Sequence, residues 1–297
     1  MSSRPKISVV IATSNRPYEL GRLLVSLEQQ TFPANQIIIV DASHESVSTI
    51  SLNPDKHILI KANRGSATQR NKGIREAKGD IILFVDDDAI LTPKCLEVIV
   101  REFTGHDSNK IGALTGQIID GKSYKPKHWN LARIFLLGEG KGSGKFKLSG
   151  FPSLASGERD KEVEVLCGGV MAFRTVVLNK IGGFNELLEK TGPYAYMEDQ
   201  DIALRVKEAG MKIKYLSEVK IYHFPSPRGR GSSYEVECGK VINSRYILEK
   251  RFGKRFINKL AWWWAMVGMV VLKIRVLDFK GVVGVLKGIS IVLTRGI

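Results

Sequence analysis

The stretch that decides the fold is "GDIILFVDDDA", Gly79 to Ala89. Five consecutive apolar residues, Ile81 to Val85, run straight into Asp86, Asp87 and Asp88. An unbroken apolar run of this length, rich in β-branched residues, reads as a strand buried on both faces, the kind found in parallel sheets. Three like charges at its mouth repel one another, a penalty that a bound cation would offset. On an extended chain Asp86 and Asp88 project to one side and Asp87 to the other. Two carboxylates so placed can share a hard divalent ion such as Mn2+ or Mg2+, with phosphate oxygens of a ligand completing its shell. A solvated acidic turn is the plainer reading of the triplet taken alone.

The neighbouring sequence fits the same picture. "ISVVIAT", "QIIIVD" and "HILIKA" are further apolar strands. Between them "PYELGRLLVSLEQQ" predicts a helix, with Pro17 at its start and Leu20, Leu23, Leu24 and Leu27 on one face. "SATQRNKGIREAKG" predicts another, capped by Ser66 and stopped at Gly79, and "PKCLEVIVREF" a third. Apolar strands alternating with helices give an α/β protein with a mainly parallel central sheet flanked by helices. Ligands of such sheets sit beyond the carboxyl ends of the strands, where Asp41 joins the triplet.

The second part is less regular. "IGALTGQIID" and "VEVLCGGVMAFR" look like strands, separated by a Gly- and Lys-rich insert from Gly121 to about Lys161. "YMEDQDIALRVKEAG" is a helix whose first turn carries Glu198, Asp199 and Asp201, where the helix dipole favours ionised carboxylates. Helix capping is the bland role for Glu198 and Asp201. "KIKYLSEVKIYHF" makes one or two short strands ending at His223, and "SPRGRGSS" is a basic loop holding Arg228 and Arg230.

The net charge of +15 is unevenly placed. From Lys240 onward twelve Lys or Arg face only Glu249 and Asp278, so most of the excess lies in the last 58 residues. Such a tail meets something anionic, membrane or nucleic acid. Within it "AWWWAMVGMVVL" is a run of twelve apolar residues, short of the roughly 20 that a spanning helix needs. Three adjacent Trp beside clustered Lys and Arg suit an interfacial helix on an anionic membrane surface, through 258–297. A buried C-terminal helix pair is the alternative. Cys95, Cys167 and Cys238 form no metal or redox spacing and fit a reducing compartment. The N-terminal apolar run is too short for a signal peptide, so the expected location is cytoplasmic, peripheral on the inner face of the membrane.

Taken together, "VVIATSNRP", "IIIVDAS", "NRGSATQRNKGI", "AKGDIILFVDDDA", "CGGVMAFR", "IGGFNE" and "YMEDQDIALRVKEAG" resemble, in order, the family 2 glycosyltransferases and their GT-A fold. The likeness covers roughly residues 6 to 225 and is nearest in kind to bacterial cell-surface polysaccharide glycosyltransferases. It implies a catalytic domain over 1–232, divided into a nucleotide-binding half (1–120) and an acceptor half (121–232), followed by the basic helical tail, 233–297. The implied reaction is metal-dependent and inverting, moving a sugar from a nucleotide-diphosphate donor to a glycan or polyprenol-linked hydroxyl.

The resemblance also implies residue roles. Thr13 and the backbone near Arg16 would meet the nucleotide, as would Arg70, and Asp41 would accept from the base's ring N–H. Asp86 would meet the ribose and Asp88 the metal, with Asp86 sharing it; three consecutive aspartates leave Asp87 open to either role. Asp199 would be the general base, with Glu198 the alternative base or an acceptor-hydroxyl ligand. His223 is either a plain strand-end histidine or the residue that completes the metal shell. The loop could close over the diphosphate, with Arg228 or Arg230 pairing with it, or be a solvated basic loop. Gly168 and Gly169 would let a sugar approach the backbone.

Two other classes compete. A sugar nucleotidyltransferase would need a Gly-rich loop directly after the first strand, yet "ATSNRPYEL" has no glycine before Gly21. A nucleic-acid-binding protein would use the charge, but Trp262, Trp263 and Trp264 are consecutive within an aliphatic run and not interleaved with basic residues along a groove, so no nucleic acid is expected. The oligomeric state stays open.

Overall fold

The computed structural model describes residues 4–44, 52–106, 108–120, 129–137, 142–226, 231–253 and 255–295. The first half alternates strands and helices: β1 (Ile7–Thr13), α1 (Pro17–Glu28), β2 (Gln36–Asp41), β3 (His57–Lys61), α2 (Ser66–Glu76), β4 (Ile81–Asp86), β5 (Ala89–Leu91) and α3 (Cys95–Thr104). The middle comprises β6 (Ile111–Asp120), α4 (Trp129–Ile134), a small β7 (Lys145–Phe146) and β8 (Pro152–Ser153) pair, and β9 (Lys161–Val163). Then come β10 (Val170–Arg174), α5 (Thr175–Ile181), α6 (Leu187–Lys190), α7 (Glu198–Glu208) and β11 (Lys212–His223). Three long helices end the chain: α8 (Ser233–Arg251), α9 (Phe256–Arg275) and α10 (Phe279–Arg295).

The main sheet has the order β3-β2-β1-β4-β10-β6-β11-β5, with β9 also paired to β11. It is parallel from β3 to β4 and between β6 and β11; the remaining pairs are antiparallel. The change of direction has a local cause. "VEVLCGG" does not continue as one strand into β10: the chain turns at Cys167–Val170 beside the end of β4, and β10 runs back from there. Likewise "KIKYLSEVKIYH" is one strand with a register shift, not two.

Period-2 alternation sends the strand side chains to two separate cores. Ile7, Val9 and Ile11 of β1 and Ile81, Leu83 and Val85 of β4 pack under α1 and α3. Val10, Ile82 and Phe84 face the other way, toward α2, α5 and α7. Phe84 meets Phe173 and Phe184 edge-on, with ring centroids 5.8 and 5.1 Å away. Burying each such side chain is worth about 1.5–3 kcal/mol, which fixes the sheet and hence its carboxyl edge. Helix α2 lies so close to β1 that a Cβ on Gly73 would sit 2.2 Å from Val10 Cγ1.

A third core joins the tail to the rest. Cys238, Val241 and Ile242 of α8 pack with Trp262, Met266 and Val285 of α9 and α10, and with Phe151. The inner face of the tail is therefore the buried helix pair of the alternative reading, while much of its outer face is exposed.

A valine at Gly73 is expected to push α2 off β1 and to lower unfolding free energy by about 1–3 kcal/mol in urea denaturation. An unchanged midpoint would show that this contact is not fixed.

Candidate active site at the carboxyl edge of the sheet

Register places the acidic residues. Thr13 lies opposite Asp41 across β1 and β2, and Ala12 opposite Asp86 across β1 and β4. Asp87 and Asp88 form the turn between β4 and β5, and β5 pairs with the end of β11, Ala89 opposite His223. That pairing brings residues 135 positions apart in sequence into contact: His223 Nε2 lies 3.0 Å from Asp88 Oδ1. Asp86, Asp88 and His223 each offer one ligand atom within 4.8 Å of the others. Two carboxylates and an imidazole in one small group suit Mn2+ or Mg2+.

Asp87 is not part of that group. Its carboxylate accepts from Thr13 Oγ1 and from Arg16 Nη1, each at 2.7 Å, and the residue is 3% exposed. Burial pushes its pKa up to about 6, with Arg16 and Thr13 holding it down from higher. Of the three aspartates, the middle one thus ties the turn to β1, while the outer two group with His223. The Thr13 and Arg16 side chains are engaged in that tie, and Arg16 also lies 3.6 Å from Asp88. Burial opposes ionisation of Asp88, but His223, the Ser226 N–H and Arg16 outweigh it and lower its pKa.

Arg70 of α2 is the link to the second acidic group. Its Nη1 donates to Glu198 Oε1 at 2.9 Å, and its Nη2 lies 3.3 Å from Asp86 Oδ1. Burial alone would lower its pKa; Glu198, Asp86 and Asp199 together raise it instead. Asp86 shows 38% of its side chain to the cleft but sits deep in the fold, and poor solvation there raises its pKa despite Arg70.

Glu198 and Asp199 enter the cleft because Met197, at φ 70°, turns the chain through the left-handed region just before α7. A buried non-glycine residue in that conformation is strained, and such strain concentrates at functional sites. Glu198 is held by Arg70 and by the Ser66 hydroxyl at 2.9 Å. Among the described residues Asp199 is hydrogen-bonded by its neighbour in sequence: Gln200 donates from its backbone N–H to Oδ1 and from Nε2 to Oδ2, both at 2.9 Å. Burial, then the charge of Glu198, pushes the Asp199 pKa up to about 7 against Arg70 and Gln200. A Cβ on Gly168 would stand 3.3 Å from Asp199 Oδ2, so a glycine there leaves room beside the carboxylate.

These groups line one cleft of about 1310 Å³, together with Tyr194, Tyr196, Glu237, Lys240 and Lys273. Asp41 occupies the expected strand end, but it is fully buried, takes Lys61 Nζ at 2.9 Å and the Ser43 hydroxyl, and does not line that cleft. Asp201 points away and binds Arg205 and Arg251, so it joins α7 to α8 and does not cap. Arg228 and Arg230 lie outside the described residues.

Several contributors carry no sequence signal. Gln69 donates to the carbonyls of Thr13 and Val40, fixing α2 across the ends of β1 and β2. Ser66 does not cap α2; Glu189 does, from more than a hundred residues away, accepting from the Ala67 N–H and from Thr68 Oγ1. Only the fold brings Glu189 there.

The comparisons with known proteins agree with this geometry. The family model described as "Glycosyl transferase family 2" matches residues 8–182, more than half of the chain. The chain belongs to glycosyltransferase family 2. A second model, "N-terminal domain of galactosyltransferase", matches residues 153–226. An uncharacterized glycosyltransferase of Bacillus subtilis, YwdF, is 40% identical over 106 residues, 34% of this chain and 40% of its own. The hyaluronan synthase of Pasteurella multocida is 26% identical over 266 residues, 82% of this chain but only 27% of that much longer protein. Among solved structures, the mannosyltransferase PcManGT of Pyrobaculum calidifontis, in complex with GDP-Man and Mn2+, shares the fold with a TM-score of 0.60 at 15% identity, covering 97% of this chain and 87% of its own. GalNAc-T7 with UDP, GalNAc and Mn2+ follows at 0.59 and 14% identity, covering 92% and 58%. The fold is the GT-A fold with a C-terminal helical extension.

Losing one of three ligands is expected to weaken Mn2+ binding at least as much as losing an outer partner does, roughly 10- to 100-fold. His223→Ala should therefore raise the dissociation constant for Mn2+, followed by electron paramagnetic resonance, by about that factor. Unchanged affinity would remove His223 from the metal group.

Proposed function

We propose that this protein is a metal-dependent, inverting glycosyltransferase. It moves a hexosyl unit from a nucleoside-diphosphate sugar to a hydroxyl of a glycan or polyprenol-linked acceptor in polysaccharide assembly. One observation carries the reading: Asp86, Asp88 and His223 share a cleft with the Asp199 carboxyl, and Arg70 joins the two groups. Family membership favours it over a sugar nucleotidyltransferase, and the two solved neighbours, with GDP-Man or UDP beside Mn2+, support the donor class. Three free, buried cysteines support a cytoplasmic setting.

The residues divide the work as follows. Asp199 accepts the proton of the acceptor hydroxyl as that oxygen forms its bond to the anomeric carbon. The bond from that carbon to the diphosphate breaks on the opposite face, the nucleoside diphosphate leaves with the electron pair, and the configuration inverts. A divalent ion held by Asp86, Asp88 and His223 would neutralise charge growing on the diphosphate. Glu198, committed to Arg70 and Ser66, is the weaker candidate for base and holds the guanidinium in place. Gln200 is a positioning residue, orienting Asp199 through two N–H groups.

Asp199 works as a base only when ionised, so kcat/KM should rise with pH through about 7 and level above it. Asp199→Asn should cut turnover by about 10²- to 10⁴-fold while Mn2+-dependent nucleotide binding stays intact. Gln200→Leu removes a donor that favours the charged form, so the acid limb of the profile should move to higher pH. Full turnover by Asp199→Asn would remove it as the base.

A further inference from the structure

Helices α9 and α10 bury one face and leave the other bare. On α9 the inner face holds Ala261, Trp262, Ala265, Met266 and Met269, and Trp262 Nε1 donates to Ser244 Oγ of α8 at 2.9 Å. On its outer face Phe256, Leu260, Trp263, Val267, Val271 and Ile274 recur every three or four residues, and each is 37–73% exposed. They form one apolar stripe along a helix about 30 Å long. Helix α10 repeats the pattern with Phe279, Val283, Leu286 and Leu293, 54–64% exposed. Val276 and Leu277 continue the bare surface across the turn between the helices.

The charges around this surface select its partner. From 255 to 295 the sequence carries seven Lys or Arg and a single acid, Asp278. Arg255, Arg275, Lys280, Lys287 and Arg295 are all exposed beside the apolar stripes. A second copy of this chain would bring two such basic faces together, and they would repel. An anionic bilayer complements both features, taking the apolar side chains into the acyl boundary and the cations onto its headgroups.

Helix α9 is long and apolar enough, by length and composition, to cross a membrane. Its inner face argues for lying in the plane instead. That face packs on α8, and a Cβ on Gly268 would sit 2.2 Å from Phe135 Cβ, next to α4. Trp264 Nε1 also donates to the Ile134 carbonyl at 2.8 Å. Crossing the bilayer would break all of these contacts.

We infer that the outer face of α9 and α10 is a docking surface for an anionic lipid bilayer, on which both helices lie in the plane of the interface. The packed side of α9 reaches the cleft. Lys273, near the end of α9, lines that cleft and lies 2.9 Å from Glu237 Oε1 of α8. Docking therefore holds Lys273, on the packed side of α9, one helix diameter, about 10–12 Å, from the outer face of that helix. The docking inference stands on the tail alone and does not depend on which reaction the cleft performs.

The test is co-sedimentation of the full chain with phosphatidylcholine vesicles, with and without phosphatidylglycerol. Two variants accompany it: Leu260→Glu with Val267→Glu and Ile274→Glu, and Lys280→Glu with Lys287→Glu. Melting curves and Mn2+ binding serve as folding controls. The wild type should bind the anionic vesicles, and bind phosphatidylcholine alone far more weakly. Each variant should lose roughly tenfold or more of that binding with Mn2+ binding unchanged. The charge-reversal pair lies on exposed positions and keeps the test decisive if the apolar triple variant misfolds. No binding by wild type, or full binding by the charge-reversal variant, would overturn the inference. So would a concentration-dependent dimer, seen in sedimentation velocity and abolished by either variant, in place of vesicle binding.

Discussion

One buried guanidinium allows carboxylates from two separate elements to share a cleft. Asp86 comes from the end of β4 and Glu198 and Asp199 from the start of α7, and Arg70 meets the charge of all three with 8% of its side chain exposed. Its charge offsets repulsion that would otherwise force protonation or separation. Removing one partner from such a buried network typically costs about 3–5 kcal/mol, because the remaining charges stay desolvated. Arg16 serves the same purpose on a smaller scale, holding Asp87 and lying 3.6 Å from Asp88 in the turn that follows β4. The rest of the cleft is arranged around these two cations.

The fold supplies what the cations need. Parallel strands β1, β2 and β4 end at one edge, while β11 arrives from the far side to deliver His223 against Asp88. Helix α2 is pressed onto β1 at Gly73, which sets the height of Arg70 above the sheet. The left-handed turn at Met197 and the open space at Gly168 then admit Asp199 from the opposite wall. The tail extends that wall: α8 and α9 contribute Glu237, Lys240 and Lys273 to the cleft. The tail is thus packed on the rest of the protein and contributes to the cleft.

The strands and helices of the first half were legible because their apolar periodicity is strong and local. The triplet was legible only in part: alternation along a strand predicted that Asp87 differs from Asp86 and Asp88, and it does, but Asp87 and Asp88 lie in the turn after β4, where Thr13 and Arg16 take Asp87 and His223 takes Asp88. His223 could be flagged as a strand-end histidine, but its contact with Asp88 depends on the β5–β11 pairing, which no local pattern encodes. The same holds for Glu189 at the start of α2, where Ser66 was the local candidate for the cap. Asp41 lies at the expected strand end, yet its burial and its partner Lys61 on β3 follow from neighbouring strands and could not be read from its own segment. In the tail the hydrophobic run was plain in the sequence. Its division into a packed face and a bare one needed the position of α8.

The central claim is that Asp86, Asp88 and His223 hold a cation that binds a nucleoside diphosphate. Calorimetric titration of UDP, GDP and dTDP into wild type and Asp88→Ala, each with and without Mn2+, tests it most directly. Tight binding of one nucleotide, requiring both the metal and Asp88, is the expected result. Binding that is indifferent to Mn2+, or that survives loss of Asp88 unchanged, would contradict it.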